Sequence, residues 1–339
     1  MTGEVVRVKE VDIIIPVYKP DENFLALIDK LEHQTVAVHK IILMNTEQKY
    51  FDRLIYGTPF LEKYHNIYVT HLSKKEFNHG MTRRQGVKKS SAPVFVMMTM
   101  DAMPVDEYLI ERLIAPLERE EVAVAYARQM TAEGCNEIER FTRKFNYPET
   151  RSEKSMADME RLGIKTFFCS DVCAAYRRDV YEALGGFVKH TLFNEDMIYA
   201  AGAVKAGYKI AYEADARVVH FHNYTCMQQF HRNFDLGVSQ ANYPDVFACV
   251  PPEGEGIALI KKTTKHLWES GNKRLIPKLY INSAYKFFGF FLGKHYKKLP
   301  KKLVLKCTMS KEYWEQDQRR RSVSKIDAAR GYGKAEGER

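Results

Sequence analysis

The chain has 339 residues, 45% of them hydrophobic and 28% charged. That is too apolar for a disordered chain and too mixed for a fibrous one, and it leaves room for one large α/β domain with an appendage or for two ordinary domains. The formal net charge of +9 is uneven: residues 256–339 carry 21 basic and 7 acidic side chains, residues 1–255 carry 31 and 36, so a mildly acidic body precedes a basic, aromatic region suited to an anionic partner.

The first ten residues hold no apolar run of the kind an export signal needs, and no 18 consecutive residues are purely apolar, so neither a secretory signal nor a conventional membrane span is expected. The six cysteines, at 135, 169, 173, 226, 249 and 307, include no CxxC pair. Reduced thiols are expected rather than a zinc site, although Cys169 and Cys173 would share a face if they lay on a helix.

In chain order, VDIIIPV from Val11 to Val17 is a β-branched apolar run followed by a polar turn, which predicts a buried parallel strand. Glu22 to His33 places Phe24, Leu25, Leu27, Ile28 and Leu31 on one helical stripe. Lys40 to Met44, Asn66 to His71 and Ala92 to Thr99 read as further strands, with a helix over Thr82 to Ser90. This alternation predicts a doubly wound, mostly parallel sheet, whose ligands sit at the carboxyl ends of the strands. Pro16–Tyr18, Asn45–Glu47 and Met100–Asp101 would then share one rim.

Beyond that point Glu121 to Met130 reads as a strand, Asn136 to Lys154 as a polar excursion, and Val180 to Gly186 and Met197 to Ala206 as helices with glycine stops. Lys209 to Tyr212 and Ala216 to His220 read as two short strands. Leu275 to Leu292 is apolar and aromatic and runs into a lysine cluster, the composition of a helix lying on an anionic membrane surface. A helix packed on the body or on a second subunit is the alternative to that membrane reading. A nucleic-acid partner is not expected, because the basic residues follow a greasy segment rather than line a polar groove.

Several residues could carry chemistry. Asp101 at the tip of a strand could hold a divalent cation, or simply cap the next segment. Glu195-Asp196 could include a general base, or merely suit a helix N-terminus. His220 and His222 alternate onto one face of a strand, a spacing open to metal ligation. In Phe77–Gly86, glycine allows close backbone approach and Arg83 could reach a phosphate. Arg232 offers a second cation.

Taken in order, IIIPVYKP, FNHGMTRRQG, TMDAMP, FNEDM, VVHFHNYT and QQFHRNFDLG resemble the motifs of the family 2 glycosyltransferases, most closely the bacterial rhamnosyltransferase-like branch that builds cell-surface polysaccharides. The resemblance implies a GT-A fold, a Rossmann-like, mostly parallel sheet with flanking helices, over residues 1–250. A helical, basic C-terminal region over 251–326 and a disordered tail over 327–339 would complete the chain. It implies donor contacts from Pro16, Val17, Tyr18, Asn45, Phe77, Asn78, His79, Thr82, Arg83, Met100, Asp101 and Arg232. Asp196 would be the catalytic base with Glu195 beside it, and Asp101 with His220 or His222 would hold Mg²⁺ or Mn²⁺. Thr99 replaces the first aspartate of the family's metal motif, and Asn233 replaces the tryptophan of its QxxRW motif.

The implied reaction is inverting transfer of a sugar, L-rhamnose from dTDP-β-L-rhamnose, onto a glycan or lipid-linked glycan, by a cytoplasmic protein peripheral to the inner face of the membrane. A UDP-hexose donor is the alternative within the fold. A catalytically inactive nucleotide-sugar-binding or scaffolding protein is the alternative outside it.

Overall fold

The computed structural model describes residues 10–220, 224–248 and 253–317. Nine strands form one sheet: β1 (Val11–Tyr18), β2 (Val38–Thr46), β3 (Ile67–Leu72), β4 (Val94–Met98), β5 (Met103–Pro104), β6 (Val122–Met130), β7 (Ser152–Lys154), β8 (Cys173–Arg177) and β9 (Lys209–Val219). Their spatial order is β3-β2-β1-β4-β8-β6-β9-β5, with β7 paired to β9. The β3-β2-β1-β4 half is wholly parallel. Its strands are covered on both faces, so they read as continuous apolar runs, and Ile13, Ile14, Ile15, Ile41, Ile42 and Leu43 are fully buried.

The other half is mixed. Strand β8 is antiparallel to both β4 and β6. Strand β6 ends at Met130 on the carboxyl rim, the excursion over 131–172 descends along the start of β9 as β7 and climbs back, and β8 begins opposite Met98 at that rim and runs down again. Strand β9 spans what the sequence suggests are two strands, because its register against β6 slips between Ala127 and Arg128 and residues 214–216 bulge out. Cys173 opens β8 and Cys169 lies in the preceding turn, so the two thiols do not share a helix face.

The helices that shape the site are α1 (Glu22–Glu32), α2 (His79–Lys89), α3 (Glu137–Asn146), α4 (Glu195–Lys205), α5 (Cys226–Asn242), α6 (Glu253–Glu269), α7 (Ile276–Lys294) and α8 (Lys301–Cys307). Helix α1 buries Phe24, Leu27, Ile28 and Leu31 of the expected stripe and leaves Leu25 half-buried at its edge. Helix α5 opens on a capping box, Thr225 and Gln228 each accepting the other's backbone N–H.

The C-terminal helices fold back over the rim. Helix α7 lies against α5 so closely that a Cβ on Gly289 would come within 2.2 Å of the Phe230 carbonyl oxygen, and one on Gly293 within 2.1 Å of that of Phe234. Helix α6 meets α3, where His266 Nε2 lies 2.7 Å from Glu137 Oε1 and its ring stacks on Phe141. Asp235 of α5, fully buried, accepts from the Thr308 hydroxyl (2.6 Å) and the Met309 N–H (2.9 Å), tying down the chain after α8.

Candidate active site

A cavity of about 1000 Å³ opens at the carboxyl rim, floored by strand ends and walled by α3, α5, α6 and α7. The structure gathers most of the expected residues there. Pro16, Val17, Tyr18 and Met100 line one part, with the Tyr18 N–H directed at the Met100 sulfur at 3.3 Å. Phe77, His79, Asp101, Glu195, Asp196, His220 and Arg232 also line it. His222 lies outside the described residues.

Three expected donor contacts do not line the cavity. Asn45 is fully buried under the rim, its amide 2.9 Å from His71 Nδ1. Asn78 is the N-cap of α2, its carboxamide oxygen accepting from the Met81 N–H at 3.2 Å. Thr82 is buried, its hydroxyl accepting from the Asn78 N–H. Both side chains satisfy backbone groups at a helix start that faces protein. Gly80 shows the same: a Cβ there would sit 1.9 Å from the Val188 carbonyl oxygen, so the glycine makes room for the chain itself and not for a ligand.

Arg83 also departs from expectation. It faces the cavity, yet its Nε lies 3.0 Å from Asp171 Oδ2 and one terminal nitrogen 3.0 Å from Glu195 Oε1, with all three side chains buried. One guanidinium thus stands among three carboxylates, counting the adjacent Asp196. Its charge is balanced locally by this acidic cluster.

Asp196 completes that cluster and also lines the cavity. It accepts the backbone N–H of Asp171 (3.1 Å) and its own neighbour Met197 (2.7 Å). Burial and the neighbouring Glu195 carboxylate push its pKa up to about 6, against the lowering effect of the two N–H groups and Arg83. A carboxylate tuned toward neutrality is suited to accept a proton near physiological pH. Helix α4 delivers it because Asn194 adopts a left-handed conformation, φ 66°, just before Glu195.

Asp101 and His220 meet at 3.5 Å between Oδ1 and Nε2, each at the end of a strand. Gln129 holds the other imidazole nitrogen at 3.1 Å. Among the described residues no group of three or more histidine, cysteine, aspartate or glutamate side chains is arranged to hold a metal. Thr99, in place of an acidic residue, lines the cavity with a buried hydroxyl that finds no partner. One carboxylate and one imidazole still fit a cation that completes its shell with phosphate oxygens and water, as magnesium-like ions commonly do.

Sequence reasoning missed Asp171, Arg143, Lys278 and Lys286. Asp171 reaches the rim only because β8 runs antiparallel, and the Tyr176 hydroxyl beside it donates to its carboxylate at 2.5 Å. Arg143 of α3 bonds Gln129 and the His220 carbonyl, which places a cation beside the Asp101–His220 pair. Lys278 and Lys286 face the cavity from α7. No motif marks them. The stripe of α7 opposite its exposed aromatics was the available signal.

A family model described as Glycosyl transferase family 2 matches residues 12–185. The chain is 36% identical over 307 residues to the O-antigen chain rhamnosyltransferase RfbN of Salmonella typhimurium, covering 90% of this chain and 96% of that protein. It is 39% identical over 251 residues to the O-antigen chain rhamnosyltransferase WbaN of Salmonella anatum, 74% and 79% of the two chains. Among solved structures, a mannosyltransferase from Pyrobaculum calidifontis in complex with GDP-Man and Mn²⁺ superposes with a TM-score of 0.51 at 14% identity, over 89% of this chain and 84% of that one. At that identity the likeness concerns the fold.

Proposed function

The chain belongs to glycosyl transferase family 2, and from that premise we propose that it transfers L-rhamnose, with inversion, from dTDP-β-L-rhamnose to a hydroxyl of a lipid-linked glycan in cell-surface polysaccharide synthesis. The enzyme class follows from the family. The rhamnose assignment is supported by the two O-antigen rhamnosyltransferase relatives, which match 90% and 74% of the chain. The observation that carries the chemistry is that Asp196, tuned to about pKa 6, opens on the same cavity as the Asp101–His220 pair.

The nucleotide would lie against Pro16–Tyr18 and the Phe77–His79 wall. Arg232 and Arg143 would face the diphosphate, whose negative charge grows as the anomeric C–O bond breaks. Asp101 and His220 would hold the Mg²⁺ or Mn²⁺ ion, which supplies further charge neutralisation at the leaving group. The acceptor oxygen forms its bond to the anomeric carbon from the opposite face, and its proton passes to the Asp196 carboxylate. Glu195 and Arg83 keep that carboxylate in place.

Asp196→Asn tests this. A general base contributes roughly 10²- to 10⁴-fold, so transfer falls by that factor while dTDP-rhamnose affinity, followed by calorimetry, stays near wild type. Because Asp196 must be ionised to accept the proton, the wild-type rate climbs as pH rises through about 6 and levels off above it. An asparagine variant that transfers at the wild-type rate removes Asp196 from the mechanism. Turnover with a UDP-hexose alone moves the donor assignment.

The acceptor and location reading rests on α7. Its outward face exposes Tyr280, Ile281, Phe288 and Phe291, and exposed Lys297, Lys298, Lys301 and Lys302 follow. No helix among the described residues is long and apolar enough to cross a membrane. An aromatic face beside a lysine cluster suits the surface of an anionic leaflet. The opposite face of the same helix lines the cavity, so docking would bring a lipid-borne acceptor to the reacting atoms.

A further inference from the structure

The last described stretch, 311–317, packs far from its sequence neighbours, against the loop between β3 and α2. Gln316 reaches furthest in. Its amide nitrogen donates to the Lys75 carbonyl at 2.6 Å and to the Phe77 carbonyl at 3.1 Å, and its oxygen faces the Asn78 amide at 3.5 Å. Around it, Glu312 pairs with Lys74 at 2.8 Å, and Tyr313 stacks on His190 with ring centres 4.2 Å apart. His190 in turn lies 3.0 Å from the Asn78 amide.

The other side of that loop is the wall of the cavity. Phe77 and His79 line it and their rings meet edge to face, and His79 packs on Phe193, two residues before Glu195. Gln316 therefore holds two successive turns of the loop backbone from outside, while the loop's side chains shape the cavity from inside. Within the loop, Ser73 and Glu76 bond each other, but among the described residues no other side chain donates to the Lys75 and Phe77 carbonyls.

We propose that Gln316 is a positioning residue for donor binding, acting through the Phe77–His79 wall, so that the C-terminal stretch sets nucleotide affinity without touching the nucleotide. The inference rests on the reading that this wall meets the donor. It explains why a conformationally unremarkable glutamine sits between two carbonyls 239 and 241 residues away in sequence.

The test uses the full-length protein, titrated calorimetrically with dTDP and with UDP, followed by transfer kinetics with the corresponding sugar nucleotide. Gln316→Ala should raise the nucleotide Kd and the donor KM about tenfold, the scale expected for a small misplacement of a binding wall, with kcat within about twofold. Gln316→Lys keeps a long stem and restores a donor to both carbonyls, and should recover most of the loss. Gln316→Glu offers only acceptors and should not. Val304→Ala loosens the buried cluster of α8, which includes Tyr313 of the same stretch, while keeping the Gln316 side chain, and should lower Tm with a much smaller rise in KM than Gln316→Ala gives. Phe77→Ala reports on the wall itself.

A raised KM in Phe77→Ala with none in Gln316→Ala overturns the positioning role and keeps the donor reading. If neither variant weakens nucleotide binding, or wild type binds neither nucleotide, the donor reading fails and this inference falls with it. An equal rise in Val304→Ala, or no difference between the lysine and glutamate variants, reduces Gln316 to general packing and overturns the role.

Discussion

Helices α2 and α7 are built inside out with respect to each other. Helix α2, HGMTRRQGVKK, is polar along almost its whole length, yet Gly80, Thr82, Arg83, Gly86 and Val87 are buried. Helix α7 is largely apolar, yet it buries only Leu279, Gly289 and Gly293 and leaves a broad aromatic face in solvent. Apolar burial explains neither helix. Helix α2 is held by an ion-pair cluster and close backbone contact. Helix α7 is held by a seam of glycines on α5, which leaves its greasy side available to something outside the chain. Both departures from the ordinary hydropathy rule fall on the walls of one cavity, where function and stability ask for different residues.

Removing the cation of α2 is the most severe way to probe this difference. Arg83→Met leaves Asp171, Glu195 and Asp196 together without a counter-charge. Breaking a buried pair in this way typically costs about 3–5 kcal/mol, which denaturant titration would detect as a large drop in midpoint. Arg83 also lowers the pKa of Asp196, so any folded variant should need a higher pH for half-maximal transfer than wild type does. A stable variant with an unmoved pH profile would make α2 an ordinary packed helix.

A smaller effect comes from the buried charge of α5, the helix on which α7 lies. Burial raises the Asp235 pKa to about 7, against the lowering hydrogen bonds from Thr308 and Met309. A carboxyl whose folded pKa is raised contributes stability that is fully present below its unfolded pKa, near 4, and is lost as pH rises through about 7. A shift of that size corresponds to a change on the order of 4 kcal/mol across the window. Asp235→Asn should flatten the stability curve between pH 4 and 7, measured as Tm against pH relative to wild type.

The parallel half of the sheet was legible because strands covered on both faces leave unbroken apolar runs. The rim positions of Pro16–Tyr18 and Met100–Asp101 followed from those runs. What the local pattern did not carry was anything that depended on the return of the chain. The antiparallel course of β8 brings Asp171 to the site, and the bulge in β9 joins two apparent strands. In FNHGMTRRQG the residue types were visible but their partners were not. Asn78 is a helix cap, Gly80 makes room for the Val188 carbonyl, and Arg83 meets carboxylates from two later segments. An asparagine just before a helix is itself a capping signal, and that reading of Asn78 was open from the sequence.

Glycine-to-alanine changes compare the two helices with one chemistry. Gly293→Ala places a Cβ 2.1 Å from the Phe234 carbonyl oxygen. The atom it meets is backbone, so relief requires α7 to move off α5. Overpacking of this kind costs about 1–3 kcal/mol, partly offset by the roughly 1 kcal/mol that alanine gains over glycine inside a helix. The expected result is a modest loss of stability with a larger loss of transfer, since the inner face of α7 lines the cavity. Gly80→Ala meets the Val188 carbonyl oxygen at 1.9 Å and should disturb α2 in the same sense.

The mildest change on the folding scale tests what the outer face of α7 is for. Ile281, Phe288 and Phe291 are 53%, 57% and 48% exposed and none of them lines the cavity, so replacing all three by serine removes little that the folded chain uses. Surface changes of this kind usually stay within about 0.5 kcal/mol each. Inserted into a lipid interface, each of these side chains is worth about 1.5–3 kcal/mol if fully buried, and partial insertion of three is enough to decide whether the protein binds. The triple variant should therefore melt near the wild-type temperature, turn over a water-soluble acceptor normally, and no longer sediment with vesicles containing anionic lipid. High salt should weaken wild-type sedimentation through the lysines at 297, 298, 301 and 302. A triple variant that unfolds would mean that the aromatic face belongs to the core of this chain, and the contrast with α2 would disappear. A stable variant that still binds vesicles would leave the lysines as the whole of the attraction.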